Sequence, residues 1–143
     1  MKITQISVFL ENRKGRLFDI CSMLGEADIN IRALTIAETE TFGVLRMVVD
    51  KPADAISLFR QNNVTANQTE VVAVEIPDTP GGLATVLGIL SKNDLNVEYM
   101  YGFVEKFSDN ALLVFRFDEP ERAHQVLEQN GVHIVDEQDI QGL

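Results

Sequence analysis

The sequence predicts an α+β fold in which one βαββαβ unit occurs twice, and three observations carry that prediction. The first is an internal repeat at a spacing of 66 residues, which matches Gly15 with Gly81, Leu17 with Leu83, Leu24 with Leu90, Asn30 with Asn96 and Ile31 with Val97. The second is a change of that spacing to 68, which matches Asp50 with Asp118, Pro52 with Pro120, Ala55 with Ala123 and Val64 with Val132. Two extra residues therefore belong to the second copy, around Glu105 to Asn110, a polar stretch of the kind a hairpin loop tolerates. The third is a hydrophobic period that switches between two and 3.6 in the same order in both copies. Two copies are too few for a solenoid, so the pattern is a tandem duplication, with units 1–69 and 70–143.

Within the first unit, Ile3 to Leu10 alternates as a strand, and Gly15 to Ala27 repeats Leu17, Ile20, Cys21 and Leu24 at helical spacing. Ile29 to Glu38 and Val44 to Asp50 are rich in β-branched and apolar residues, and the polar run Glu38 to Thr41 between them suits a hairpin. Lys51-Pro52 opens a second helix, with proline in its first turn and Ala55, Leu58 and Phe59 inward; strand character returns from Val64. The second unit repeats the order: Val71 to Pro77, Leu83 to Lys92, Leu95 to Val104, Ala111 to Asp118, Pro120 to Gln129 and Val132 to Val135. Right-handed crossovers then place both helices on one face of a four-stranded antiparallel sheet, the ferredoxin-like arrangement. Leu34, Ile36 and Met100 read as apolar residues on the face away from the helices. That face is expected to pack on a second sheet, in a homodimer.

Composition narrows the function. The 143 residues are 45% hydrophobic and 24% charged, enough apolar material for a core, and the net charge is −10. Such a surface repels a phosphate backbone, which argues against nucleic acid as a partner. The single cysteine, Cys21, forms no internal disulfide. The opening Met1-Lys2-Ile3-Thr4-Gln5 lacks the apolar core of a signal peptide, and no stretch approaches the roughly 20 apolar residues of a membrane span. The expectation is a cytoplasmic protein without a membrane partner.

Two features bear on chemistry. The turn before the first helix is Glu11-Asn12-Arg13-Lys14-Gly15-Arg16-Leu17 in one copy and Pro77-Asp78-Thr79-Pro80-Gly81-Gly82-Leu83 in the other. The backbone N–H groups of a first helical turn attract a carboxylate, and glycine lets a ligand approach the backbone closely. The plainer reading is a tight turn that starts a helix. The second feature is Asn30-Ile31-Arg32 and its counterpart Asn96-Val97-Glu98 at the entry to a strand, where asparagine is disfavoured. Its amide offers both donor and acceptor to a ligand, or else serves a local turn.

The βαββαβ repeat, the Thr79-Pro80-Gly81-Gly82-Leu83 turn and the Asn96-Val97 element resemble the ACT domain, the regulatory module attached to many enzymes of amino-acid metabolism. The resemblance covers nearly the whole chain, twice, and the second copy keeps the Pro-Gly pair where the first has Lys14-Gly15. It implies two units with sheets side by side and helices on one face. It also implies amino-acid effectors bound where the glycine turn of one unit meets the second strand of its neighbour. Carried onto this chain, one site combines Asn12, Arg13, Lys14, Gly15, Arg16 and Leu17 with Asn96, Val97 and Glu98. The other combines Asp78, Thr79, Pro80, Gly81, Gly82 and Leu83 with Asn30, Ile31 and Arg32. Glu98 would hold a ligand ammonium group, or else pair with Arg13, Lys14 or Arg16. The implied protein is not an enzyme and needs no cofactor. It is a stand-alone regulator whose partners are a free amino acid, a second copy of itself and a separate metabolic enzyme.

Other readings fare less well. Cys21 falls opposite Leu87 in the repeat and reads as a small core residue rather than a nucleophile. His124 and His133 lie on different elements without cysteine or paired acidic ligands at metal spacing, so no metal site is expected. The aromatic-plus-basic motif of an RNA-binding sheet is missing, and a metal chaperone needs a CxxC pair. Arg13 and Arg16 beside a helix start leave an acylphosphatase-like phosphatase as the enzymatic alternative, and a protein-interaction module without ligand as the other.

Overall fold

The computed structural model describes residues 3–105 and 109–143. Part of the inferred insertion, residues 106–108, lies outside the described residues. The elements run β1 (Ile3–Glu11), α1 (Arg16–Glu26), β2 (Ile31–Glu38), β3 (Phe42–Val49), α2 (Pro52–Gln61) and β4 (Ala66–Ile76). They continue as α3 (Gly82–Lys92), β5 (Val97–Gly102), β6 (Ala111–Phe117), α4 (Pro120–Gln129), β7 (Ile134–Val135) and α5 (Glu137–Gln141). The βαββαβ order thus occurs twice. The chain divides into two compact units, Thr4–Thr69 and Glu70–Leu143, with Ile3 grouped with the latter.

In the first unit β3 pairs antiparallel with both β1 and β2, and Phe9 N donates to Thr65 O at 3.0 Å, which sets the start of β4 beside β1. Alternation decides the core. Ile6, Val8 and Leu10 of β1 and Leu45, Met47 and Val49 of β3 meet Ile20 and Leu24 of α1 and Ala55, Ile56 and Phe59 of α2. In the second unit β6 pairs antiparallel with β4 and β5, and β7 pairs with β4. There Val72, Val74, Ile76, Phe115 and Phe117 pack with Val86 and Leu90 of α3 and Ala123, Val126 and Leu127 of α4. The Phe115 and Phe117 rings stack with centroids 5.4 Å apart.

Three expectations need correction. The strand from Val64 and the strand from Val71 are not separate: β4 is one continuous strand through the polar residues Asn67, Gln68, Thr69 and Glu70. A short fifth helix was not expected. Asp136 caps it by accepting from Asp139 N at 3.0 Å, and Ile140 is its buried residue.

The third correction concerns the sheet faces. Leu34 and Ile36 lie opposite Met47 and Leu45, which face the helices, and Met100 lies opposite Phe115. Directly opposed residues share a face. These three side chains are therefore on the helical side, and they carry no argument for an apolar outer face. The reason is a β-bulge between Ile31 and Ala33, repeated between Val97 and Tyr99. One extra residue inverts the alternation that follows it.

Cys21 is only partly buried, at the edge of the first core rather than within it. Desolvation raises its thiol pKa above 9.0. With less thiolate at a given pH, alkylation by iodoacetamide at pH 8 is expected to run slower in the folded protein than in the urea-unfolded chain. Equal rates would show that burial does not restrain the thiol.

Candidate functional site

Gly15 and Gly81 start α1 and α3 in the left-handed region, at φ 85° and 83°. An L side chain adopts that conformation at a cost of about 1–2 kcal/mol, which is why glycine stands there in both copies. The two turns differ one residue later. A Cβ on Gly82 would lie 2.1 Å from the carbonyl oxygen of Pro77, whereas the first copy carries Arg16 at the matching position. Gly82 N donates to Thr79 O at 3.0 Å and Thr85 Oγ1 to Gly81 O at 3.0 Å, so the second turn is folded tightly on itself.

Beside this second turn lies a hollow of about 540 Å³. Its wall includes Pro77, Thr79, Pro80, Gly81 and Gly82 from the turn, Val86 and Ile89 from α3, and Glu75, Asn110 and His133 from strand ends and loops. Asp78 is exposed in the same turn, and Leu83 turns back to pack on the core.

The Glu75 side chain is mostly buried at 13% exposure. Asn110 Nδ2 donates to its Oε1 at 2.7 Å, and His133 Nδ1 lies 2.6 Å from its Oε2. With Glu75 ionised the carboxylate only accepts, and the ring nitrogen facing it then carries the hydrogen. Sequence reasoning did not single out these residues as a group, and it set His133 aside as a metal ligand for want of cysteine or paired acidic ligands at metal spacing. The pairing joins residues far apart in sequence, which local patterning does not reveal.

The first turn is built differently. Asn12 donates from Nδ2 to Thr39 O at 3.3 Å, fastening the turn to the β2–β3 hairpin. Arg13 pairs with Glu11 at 3.4 Å and Arg16 approaches Asp19 at 3.9 Å, while Lys14 is exposed. Both arginines border one hollow, and each already faces an acidic neighbour, Glu11 or Asp19. The hollow here, which includes Leu17 and Ile36, is smaller, about 230 Å³.

Within each unit the asparagine elements stand apart from the glycine turns. Asn30 borders a hollow with Gly25 and Asp28 at the far end of α1, and Asn96 one with Ser91 and Asp94 at the far end of α3. Each asparagine serves a local turn through its backbone. Asn30 N donates to Asp50 Oδ1 at 2.9 Å and Asn96 N to Asp118 Oδ1 at 3.1 Å, and each asparagine carbonyl accepts from the same aspartate's N–H. Asp28 and Asp94, at φ 59° and 55°, turn the chain out of the preceding helix. Asp118→Ala is expected to cost about 1 kcal/mol, read as a lower urea midpoint, and an unchanged midpoint would make the bond dispensable.

Ile31 and Val97 pack against the cores, and Arg32 and Glu98 are the extra residues of the two bulges. Glu98 pairs with Arg116 at 3.3 Å within its own unit. The Arg32 Nε is buried without a hydrogen-bond partner. Among the described residues no three or more His, Cys, Asp or Glu converge as a metal site, and no helix is long and apolar enough to cross a membrane.

Comparison with known proteins places this geometry. The family model for an ACT domain pair matches residues 1–143. A protein from Bacteroides thetaiotaomicron of known crystal structure is similar, with 36% identity and a TM-score of 0.93 over 100% of this chain and 98% of that one. The ligand-free regulatory subunit of aspartate kinase from Thermus thermophilus shares the fold, with 15% identity and a TM-score of 0.61 over 88% of this chain and 90% of that one. The corresponding subunit from Thermus flavus does so with 14% identity and a TM-score of 0.58 over the same 88% and 90%. No functionally curated protein matches the chain. An ACT domain pair is a regulatory module that binds small ligands, and this chain belongs to that family.

Proposed function

We propose that the chain is a regulatory protein that binds a free amino acid in the cavity of its second unit and thereby modulates a separate enzyme. The observation that carries this reading is the cavity itself: about 540 Å³, bordered by a glycine turn and by polar residues that include Glu75, Thr85, Asn110, Asn130 and His133. Its wall mixes apolar side chains such as Val86 and Ile89 with polar groups of the kind that orient a small ligand. The first turn of α3 offers backbone N–H groups to a carboxylate. The resemblance in fold to regulatory subunits of aspartate kinase supports a partner enzyme of amino-acid metabolism. For such control the amino acid must bind two states of the protein with different affinity. The reading includes a cytoplasmic protein acting as a homodimer, and exposed Leu17, Phe18, Leu34 and Ile36 in the first unit supply apolar surface for self-association. Sedimentation velocity that shows only monomer with and without ligand would remove the dimer.

The test is titration calorimetry against the common amino acids, with thermal unfolding of each mixture. One amino acid is expected to bind, adding about 2.7 kcal/mol of stability when present at 100 times its Kd. If none binds, the exposed Phe18 at 72% and Phe42 at 62% favour the second reading, an interaction module without ligand.

A further inference from the structure

In the first unit β2 pairs with β3 alone, so its outer edge carries backbone N–H and C=O groups that no strand among the described residues takes up. The residues along that edge complement themselves when the strand is reversed. Leu34 and Ile36, 37% and 43% exposed, flank Thr35. Arg32 stands two residues before Leu34 and Glu38 two residues after Ile36, one cation and one anion. The Arg32 Nε is buried without a hydrogen-bond partner, and neither Arg32 nor Glu38 forms an ion pair among the described residues.

We infer that a second copy of the chain docks on this edge, β2 against β2 in antiparallel register about Thr35, with Arg32 of each copy paired to Glu38 of the other. The inference rests on the homodimer of the proposed function and deepens it by assigning the surface. In that register Leu34 stands opposite Ile36, and directly opposed side chains share a face, so each exposed apolar residue gains an apolar neighbour. A guanidinium offers five donors that fit a carboxylate two at a time, so each ion pair gives Arg32 an acceptor and neutralises Glu38. The contact closes about a two-fold axis and uses the β2 edges of both copies. Each copy carries a net charge of −10, so long-range forces oppose docking and a local match has to overcome them. The corresponding edge of the second unit does not fit. There the repeat places Glu98, Met100, Gly102 and Val104 where the first unit has Arg32, Leu34, Ile36 and Glu38. Laid on β5 in the same register, β2 would set Glu38 against Glu98 and Arg32 against Val104. Like charges directly opposed across two strands are destabilising, and Glu98 is already held by Arg116 at 3.3 Å, so β2 selects its own copy.

The experiment is sedimentation velocity on the full chain over a range of concentrations, with two charge reversals made separately and then mixed. Arg32→Glu opposes two carboxylates and Glu38→Arg opposes two guanidinium groups, each twice per dimer. Either variant alone is expected to dimerise at least about tenfold more weakly than wild type. An equimolar mixture of the two is expected to recover the dimer, because each chain then meets opposite charge on the other at both positions. That rescue separates pairing from damage to the fold. Unchanged dimerisation of the single variants, or a mixture that stays monomeric, overturns the inference. Val104→Glu, on the edge of the second unit, is expected to leave the dimer as it is, and a weakened dimer there would also count against β2. If Arg32→Glu does not fold, Glu38→Arg at its exposed position still carries the test, and an unchanged dimer in that variant overturns the inference. A wild-type chain that is monomeric at every concentration removes the homodimer and the inference together, while amino-acid binding stands or falls by its own calorimetry.

Discussion

Gly82→Ala is expected to destabilise the protein by about 2–4 kcal/mol, seen as a marked fall in the urea midpoint. The added Cβ would stand 2.1 Å from Pro77 O, and the obstacle is backbone, so relief requires the turn itself to move. The site should suffer with it, because the same turn borders the cavity. Two comparisons separate sterics from the loss of glycine as such. A Cβ on Gly15 meets nothing within 4 Å, so Gly15→Ala should cost only the left-handed strain, about 1 kcal/mol. Gly25 lies within α1, and its Cβ also meets nothing within 4 Å, so Gly25→Ala should be neutral or stabilising by up to about 1 kcal/mol. A Gly82→Ala variant as stable as wild type would mean that the turn is looser than described.

Gly81→Asp is expected to weaken binding of the amino acid by about a hundredfold or more, two effects acting together. Aspartate at φ 83° is strained, and its carboxylate occupies the helix start that would otherwise receive the ligand's own. Calorimetry on this variant, with Gly25→Ala as the control, measures the loss. Unchanged affinity in Gly81→Asp would place the ligand elsewhere. The crossed pairing implied by the family resemblance makes a separate prediction, that Asn30→Ala weakens binding at the Gly81 turn. A site confined to the second cavity leaves that variant unaffected, since Asn30 borders a different hollow.

Much of this architecture was legible in the residues, for identifiable reasons. The repeat exposed the duplication, and Pro52 and Pro120 marked helix starts because proline needs no N–H partner there. The glycines at 15 and 81 stood out because helix starts in the left-handed region favour no other residue. The face of β2 was misread because a bulge leaves no signature in alternation except a reversal, and Arg32 and Glu98 sit at that reversal. β4 was divided because the boundary between the two copies falls within its polar middle, and polar side chains are no obstacle to a strand's backbone pairing.

The asparagines drew attention for a sound reason, an unusual residue at a strand entry. Their visible work is done by backbone groups clasped by Asp50 and Asp118. The Glu75 cluster had a signal that went unused. Glu75 interrupts the apolar run from Val71 to Ile76, and its repeat partner is phenylalanine. Asking where the two copies differ, as well as where they agree, would have found it.

The central claim is that a free amino acid occupies the cavity of the second unit. Its most direct test is a pair of amide correlation NMR spectra of the labelled full chain, with and without the amino acid found by calorimetry. The account predicts the largest shift changes at Thr79, Gly81, Gly82 and Thr85, with the side-chain amide of Asn110 and the backbone of His133 moving too. Changes confined to the turn at Asn12 to Leu17, or to the segments around Asn30 and Asn96, would contradict it.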